Sequence, residues 1–184
     1  MSSYDLIWRL IVLLLFSDKN DEQIYRREDT VNYLDKVISE YISTALATPN
    51  LNVNISQALS SYYLMLVDIE RISDYAVNMN HQATKRLQGD MTISEIEIVE
   101  HMKKLCVDMK NDLSDVEEAE RKDDVIDSLV SSWREAQIQA LKQQKCSSEV
   151  SMMLSRIFTD FERINDHALN VSQEFDKINI EIPE

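Results

Sequence analysis

Glycine and proline are almost missing from this chain: one Gly and two Pro among 184 residues. Ordinary domains carry several per cent of each, and hairpins and tight turns draw on both. A sheet-rich fold therefore has little to turn on. Basic residues are scarce beside acidic ones, 19 Lys plus Arg against 33 Asp plus Glu, a formal net charge of −14. Such a chain repels phosphate backbones and anionic lipid faces, which argues against nucleic acid as a partner. The two cysteines, Cys106 and Cys146, have no CxxC spacing, so reduced thiols in a cytoplasmic setting are expected. Long apolar runs are absent as well. Residues 6–16, LIWRLIVLLLF, contain Arg9 and fall short of the roughly 20 apolar residues of a membrane span. They lack the small-residue cleavage site of a signal peptide and read as a core helix, with no lipid insertion of this segment. Met1 begins almost inside that helix, so the chain looks cut from something longer upstream.

Leu, Ala, Glu, Lys, Gln and Met are plentiful, and all favour helix. A chain of this length buries roughly 70% of the surface its unfolded form exposes, so no staple is required. Polar clusters at 17–21, 48–54, 88–92, 111–115 and 145–148 punctuate the pattern. Thr92 with Glu95 and Ser114 with Glu117 have capping-box form, in which the hydroxyl takes an early backbone N–H and the Glu reaches back. The expectation is an all-α fold of six helices, over about 4–17, 21–47, 55–87, 93–112, 115–145 and 148–177. The break near Ser114 has neither Gly nor Pro, and one helix from 93 to 145 is the alternative there.

The most informative feature is a repeat. DIERISDYAVN, residues 68–78, recurs as DFERINDHALN, residues 160–170, with seven of eleven positions identical. The likeness extends outward. Val31, Leu34, Ile38, Tyr41 and Ala45 follow a helical stripe, and adding 95 gives Ile126, Leu129, Trp133, Ala136 and Ala140. Leu59, Tyr62, Leu66, Ile69, Ile72, Ala76, Met79 and Ala83 form a second stripe. Adding 92 gives Ser151, Leu154, Phe158, Phe161, Ile164, Ala168, Val171 and Phe175, apolar except at the first. These periods predict two tandem three-helix units, 1–90 and 91–184, packed along their lengths.

Acids flank the stripes. At about 100° per residue, Glu70 and Asp74 lie on one side of Ile69, as Glu162 and Asp166 lie beside Phe161. Carboxylates four apart project from adjacent turns, and one cation can lie between them if a neighbouring helix adds oxygen. The 115–145 helix offers Asp123, Asp124 and Asp127; the 21–47 helix offers Glu28 and Asp29, with Asn32 where Asp127 stands in the other copy. Acid pairs at this spacing arise by chance about six times in so acidic a chain, so only their recurrence in register carries information. Other readings stay open: a solvated acidic face, an inter-helix salt-bridge seam, and ordinary ion pairs of Arg71 with Asp68 or Asp74 and of Arg163 with Asp160 or Asp166.

ERISDYAVN and ERINDHALN resemble the E-R-I-G-D-H-A-x-N signature of the PhoU family of phosphate-uptake regulators, and REDTVNYLDKVISEYI resembles the helix that precedes it there. The resemblance covers essentially the whole chain in two copies. It is nearest to the PhoU-like cytoplasmic domain that follows the membrane part of bacterial sodium/phosphate cotransporters, which fits the abrupt start at Met1. It implies a tandem pair of three-helix bundles whose E(D)-x-x-x-D motifs bind iron or a zinc-like divalent or trivalent metal. Carried over, the ligands are Glu70 and Asp74 with Glu28 in the first unit, and Glu162 and Asp166 with Asp123 and Asp127 in the second. Asn32 replaces an acid, which favours the second unit. Ser73 and Asn165 stand where the family often has Gly.

The histidines His81, His101 and His167 have no acid three residues earlier, which excludes the Glu-x-x-His arrangement of ferritin-like di-iron bundles. His167 is placed to hydrogen-bond across the bundle. Gly89 stands alone, so no phosphate-cradling loop exists, and no Ser-His-Asp or Cys-His order suggests a nucleophile. The chain reads as a non-catalytic regulatory or sensory module of phosphate transport. Its expected partner is a membrane phosphate transporter, in cis or in trans, at the inner face of the cell membrane, with a homodimer as a further expectation. A metal-free helical signalling adaptor is the alternative.

Overall fold

The computed structural model of the chain describes residues 21–86, 98, 101, 102, 104 and 116–178. The expected helix at 4–17, the caps at Thr92 and Ser114, the break near Ser114, Cys106 and the 90/91 boundary lie outside the described residues. Four long helices make up the rest: α1 (Asp21–Leu46), α2 (Val53–Arg86), α3 (Val116–Lys142) and α4 (Ser148–Lys177). Ile98, His101, Met102 and Lys104 also have helical backbone. No strand occurs among the described residues.

The turns among the described residues are made without glycine. Asn52 opens α2, its Oδ1 accepting the Asn54 N–H at 2.8 Å. Ser147 caps α4, its Oγ accepting the Val150 N–H at 3.2 Å, and Glu149 in the first turn and Lys177 in the last complement the helix dipole. After α3, Gln144 adopts a φ of 57°. The Gln144 N–H then reaches the Leu141 carbonyl and the Lys145 N–H the Ala140 carbonyl. This pairing closes a helix end that glycine usually closes. Asn50, with φ 59°, is a second non-glycine residue in the left-handed region, between α1 and α2.

In space the helices run α1, α2, α4, α3: α2 and α4 form the central pair, α1 lies on α2, and α3 lies on α4. One apolar core crosses the whole row. Ile24, Ile72, Ala76 and Met79 join Ile126, Val130, Trp133, Leu154, Phe158, Phe161, Ile164 and Ala168 in it, with Met102 from the 98–104 stretch. Met65, Met79 and Met153 are buried packing residues, whereas Met152 is exposed. Ser151, the one polar member of its stripe, is buried because the Gln137 Nε2 donates to its Oγ at 2.9 Å. Subtracting the repeat offsets from Gln137 and Ser151 gives Ile42 and Leu59, an apolar pair in the first half.

The stripes are not equally covered. Ile126 and Trp133 are buried, the latter against His101, Phe158 and Phe161. Leu34, Ile38 and Tyr41 on the matching stripe of α1 are exposed, and Tyr62 on α2 is 47% exposed, which corrects its assignment to the core. Periodicity identifies a side chain that can pack, and only a neighbouring helix makes it do so. Trp133→Ala is therefore expected to cost about 3–5 kcal/mol of unfolding free energy. Ile38→Ala, at the repeat-related position, is expected to cost about 1 kcal/mol or less. Urea titration of both variants checks the difference, and equal losses would contradict this account of the two stripes.

Candidate functional site

The repeated phrase sets one pair of half-buried carboxylates on each central helix, Glu70 and Asp74 on α2 and Glu162 and Asp166 on α4. In the first half, burial pushes Glu28 of α1 above the usual carboxylate range, and repulsion from Asp74 and Asp29 adds to it. Burial also raises Glu70, followed by repulsion from Asp74, with Arg71 opposing and Asp35 adding. Arg71 lies 3.8 Å from Glu70 and 3.9 Å from Asp74.

In the second half, burial raises Asp123 to about 6, with further repulsion from Asp127, Asp166 and Asp124. Burial raises Asp127 too, then Asp166, Glu162 and Asp124. The α3 acids thus face the α4 pair, as the sequence reading expects. Two of these carboxylates are already engaged. The Asn165 Nδ2 donates to Asp123 Oδ1. The Arg134 Nη2 donates to Glu162 Oε2 and, at 3.1 Å, to Thr159 Oγ1. Arg163 stands 3.7 Å from Asp166 on the same helix.

Among the described residues, no three Asp, Glu, His or Cys side chains close around one point as a metal ligand set does. The donor chemistry nevertheless differs between the halves. Glu28, Glu70 and Asp74 offer hard oxygen donors that repel one another, and Ser73 beside them is 1% exposed with a hydroxyl that has no hydrogen-bond partner. These are the residues that would hold a hard cation. In the second half Glu162 is engaged by Arg134 and Asp123 by Asn165, while Asp127 and Asp166 still repel each other.

A separate polar clasp joins the central helices. The His167 ring Nδ1 lies 2.7 Å from Asp68 Oδ1, and the Asn170 Nδ2 donates to the same oxygen at 3.3 Å. Tyr75 stacks on the imidazole with ring centroids 5.8 Å apart. The cross-bundle hydrogen bond expected of His167 is present. It takes Asp68 away from Arg71, the partner that helical spacing alone suggested. Subtracting 92 from His167 gives Tyr75, and adding 92 to Asp68 gives Asp160, whose carboxyl is raised by burial to about 6 with Arg156 pulling it down. His81 is exposed, and His101 lies edge-on to Trp133 at 5.6 Å.

Arg134, Asp35 and the Asp68 clasp were not singled out from the sequence. Arg134 is seven residues after Asp127, hence on the same face of α3. Extending the acid stripe by two turns identifies it. Asp35 follows Asn32 by one turn in the same way.

A duplicated, all-helical chain with matching carboxylates beside a central two-helix seam defines a narrow class of protein. The PhoU domain family model matches it over residues 12–83 and again over 93–175, and the chain belongs to the PhoU family. The "Phosphate-specific transport system accessory protein PhoU homolog 1" of Thermotoga maritima is 24% identical over 164 residues, 83% of this chain and 69% of that protein. The crystal structure of PhoU from Pseudomonas aeruginosa has the same fold, with a TM-score of 0.78 at 19% identity, covering 95% of this chain and 89% of that one.

Asp123 and Asp160 have folded values of about 6, above an unfolded value near 3.9. Their contribution to stability is full below the unfolded value and is lost as pH rises through about 6. Glu118 and Glu174 are lowered, so they titrate below this window. In chelator-containing buffer the Tm is expected to be higher at about pH 5 than at about pH 7.5, and Asp160→Asn narrows the gap. A Tm that falls on acidification over that range would refute the assignment.

Proposed function

We propose that this chain is a non-catalytic regulatory module of phosphate transport that docks on a membrane phosphate transporter. The observation that carries the reading is the match of both halves of the chain to the PhoU domain. The Thermotoga maritima relative, an accessory protein of a phosphate-specific transport system by name, supplies the transport context. No described helix is long and apolar enough to cross a membrane. The reading is therefore of a module held at the inner membrane face by its partner. That partner is either the membrane part of a sodium/phosphate cotransporter carried on the same polypeptide or a separate transporter protein.

The mechanism proposed for it uses the carboxylates beside the central seam. A bound divalent or trivalent cation, such as iron or a zinc-like metal, supplies neutralising charge there. The chain's own part is mechanical: mutual repulsion of Glu28, Glu70 and Asp74 sets how closely the α1 flank lies on α2. Asp123, Asp127, Glu162 and Asp166 hold the corresponding place between α3 and α4. A change in that spacing alters the surface offered to the transporter. A metal-free adaptor is the second reading, favoured by the engagement of Glu162 with Arg134 and of Asp123 with Asn165.

Deleting the gene is expected to change phosphate uptake in phosphate-replete cells, and re-expression of the chain is expected to restore it. Unchanged uptake in the deletion strain would refute the regulatory reading. Elemental analysis separates the two mechanisms: less than about a tenth of an equivalent of transition metal, after growth in supplemented medium, removes the cation account. Retained metal that falls in Glu70→Gln/Asp74→Asn supports it.

A further inference from the structure

We infer that the end of the α1–α2 hairpin is a lipid-contact surface: its uncharged, apolar tip seats in the boundary between the headgroups and acyl chains of a bilayer. The inference goes beyond the docking reading above by adding a membrane contact that the transporter does not supply.

Charged residues make up 28% of the chain. Yet no Asp, Glu, Lys, Arg or His occurs in the 27 residues from Tyr41 to Val67, which form the end of α1, the 47–52 connection and the first part of α2. The duplication supplies an internal control. The repeat offsets carry Tyr41 to Ala136 and Val67 to Thr159, and that stretch contains Lys142, Lys145, Glu149 and Arg156. The second hairpin end is charged, and the first is not.

Tyr41 is 72% and Val53 68% exposed, and Ile55, Tyr62, Tyr63 and Leu64 are exposed with them. At about 100° per residue the five α2 side chains spread over about 200° of the helix circumference, while Ala58, Ser61 and Met65 are buried on the remaining side. A surface helix ordinarily turns a polar face outward, and this one turns apolar groups nearly all round. A protein partner or a second copy covers one side of such a rod, whereas a lipid boundary surrounds its end. Tyrosine suits that boundary, because the ring enters apolar surroundings while the hydroxyl stays wet. Thr48, Asn50 and Asn52 in the connection add uncharged polar groups for the headgroups. Contact is shallow, since no described helix is long and apolar enough to cross a membrane.

The tip also stands forward of the acidic body. Asp68 pairs with Asn170 and Ser61 lies beside Glu174, so α2 and α4 run antiparallel. α4 ends at Lys177, and residues 53–57 with the connection extend roughly 8 Å past that level. The Gln173 amide donates to Glu120 at 3.2 Å, which sets the start of α3, with Glu117 and Glu118, level with the end of α4 and behind the tip. The hairpin end therefore reaches a bilayer first. Anionic headgroups still repel the body behind it.

Co-flotation of the full chain with protein-free phosphatidylcholine vesicles tests this. The wild type is expected to float, and Val53→Asp/Ile55→Asp to lower the bound fraction about tenfold. Met152→Asp, an exposed position on the other hairpin end, is expected to leave it unchanged. Replacing about a third of the lipid by phosphatidylserine is expected to weaken binding at low salt, and about 0.5 M NaCl to restore it. Circular dichroism checks that each variant is folded, and Tyr63→Asp carries the test if the double variant is not. A wild type that does not float, or a folded variant that floats as well as the wild type, overturns the inference. So does binding that needs anionic lipid and is lost in salt. A non-floating wild type whose dimer dissociates in Val53→Asp/Ile55→Asp makes the tip a contact between copies and overturns it as well. The vesicles hold no transporter, so failure here leaves the regulatory reading standing, and unchanged phosphate uptake in the deletion strain leaves the lipid result standing.

Discussion

The packing of α2 against α4 is the interaction on which the remaining structure depends. Ile72 and Ala76 from one helix and Ile164 and Ala168 from the other are buried in the shared core, and each pair is the repeat image of the other. The distance between helix axes follows the side chains at the contact, so alanine at both matched positions sets a close approach. Apolar burial is non-directional and fixes no register by itself. The bond of Asp68 to His167 and Asn170, under the stacked Tyr75 ring, supplies direction. α1 and α3 then attach to opposite flanks of a pair that is already formed.

That arrangement explains why an acid-rich phrase lies beside a core. The seam takes one face of each central helix and a flanking helix takes the next, so Glu70, Asp74, Glu162 and Asp166 occupy the shoulder between them. They keep part of their hydration, and the rest has to be made up by protons, cations or donated amides. The two halves solve the same problem differently. Glu70 and Asp74 have only the exposed Arg71 of their own helix nearby, at 3.8 and 3.9 Å, whereas Glu162 has a guanidinium from the neighbouring helix and Asp123 an amide. Another repeat pair shows the same freedom, with Gln137 and Ser151 bonded where Ile42 and Leu59 stand in the other copy. The repeat thus conserves the seam while its flanks diverge.

The fold class, the four described helices, the 92-residue correspondence of α2 with α4 and the facing of the α3 acids toward Glu162 and Asp166 were legible in the sequence. These depend on local periodicity and on a duplication, both visible without coordinates. Burial on the outer flanks was not legible, because it depends on which helix covers a stripe. Leu34 and Leu129 occupy the same place in their stripes, yet Leu34 is exposed and Leu129 packs against the core. The capture of Asp68 by His167 was half legible. The histidine could be expected to cross the bundle, but its partner is 99 residues away, and spacing along one helix pointed to Arg71 instead. Arg134 escaped notice because an acid stripe invites a search for more acids, and the residue that completes this one has the opposite charge.

The comparison of halves also bears on stability. Glu28, Glu70, Asp74 and Asp35 repel one another beside a core in a chain whose net charge is already −14, which opposes compaction. Domains keep only a small margin between large opposing terms, so such repulsion is not negligible. The second half shows that the same helix geometry accepts an arginine on the flanking helix, an asparagine on the central one and a valine in place of the extra acid. Arg71 lies within 4 Å of Glu70 and Asp74 at the first shoulder, and Asp123, Asp127 and Asp166 still repel one another at the second, so both flanks stay sensitive to protons.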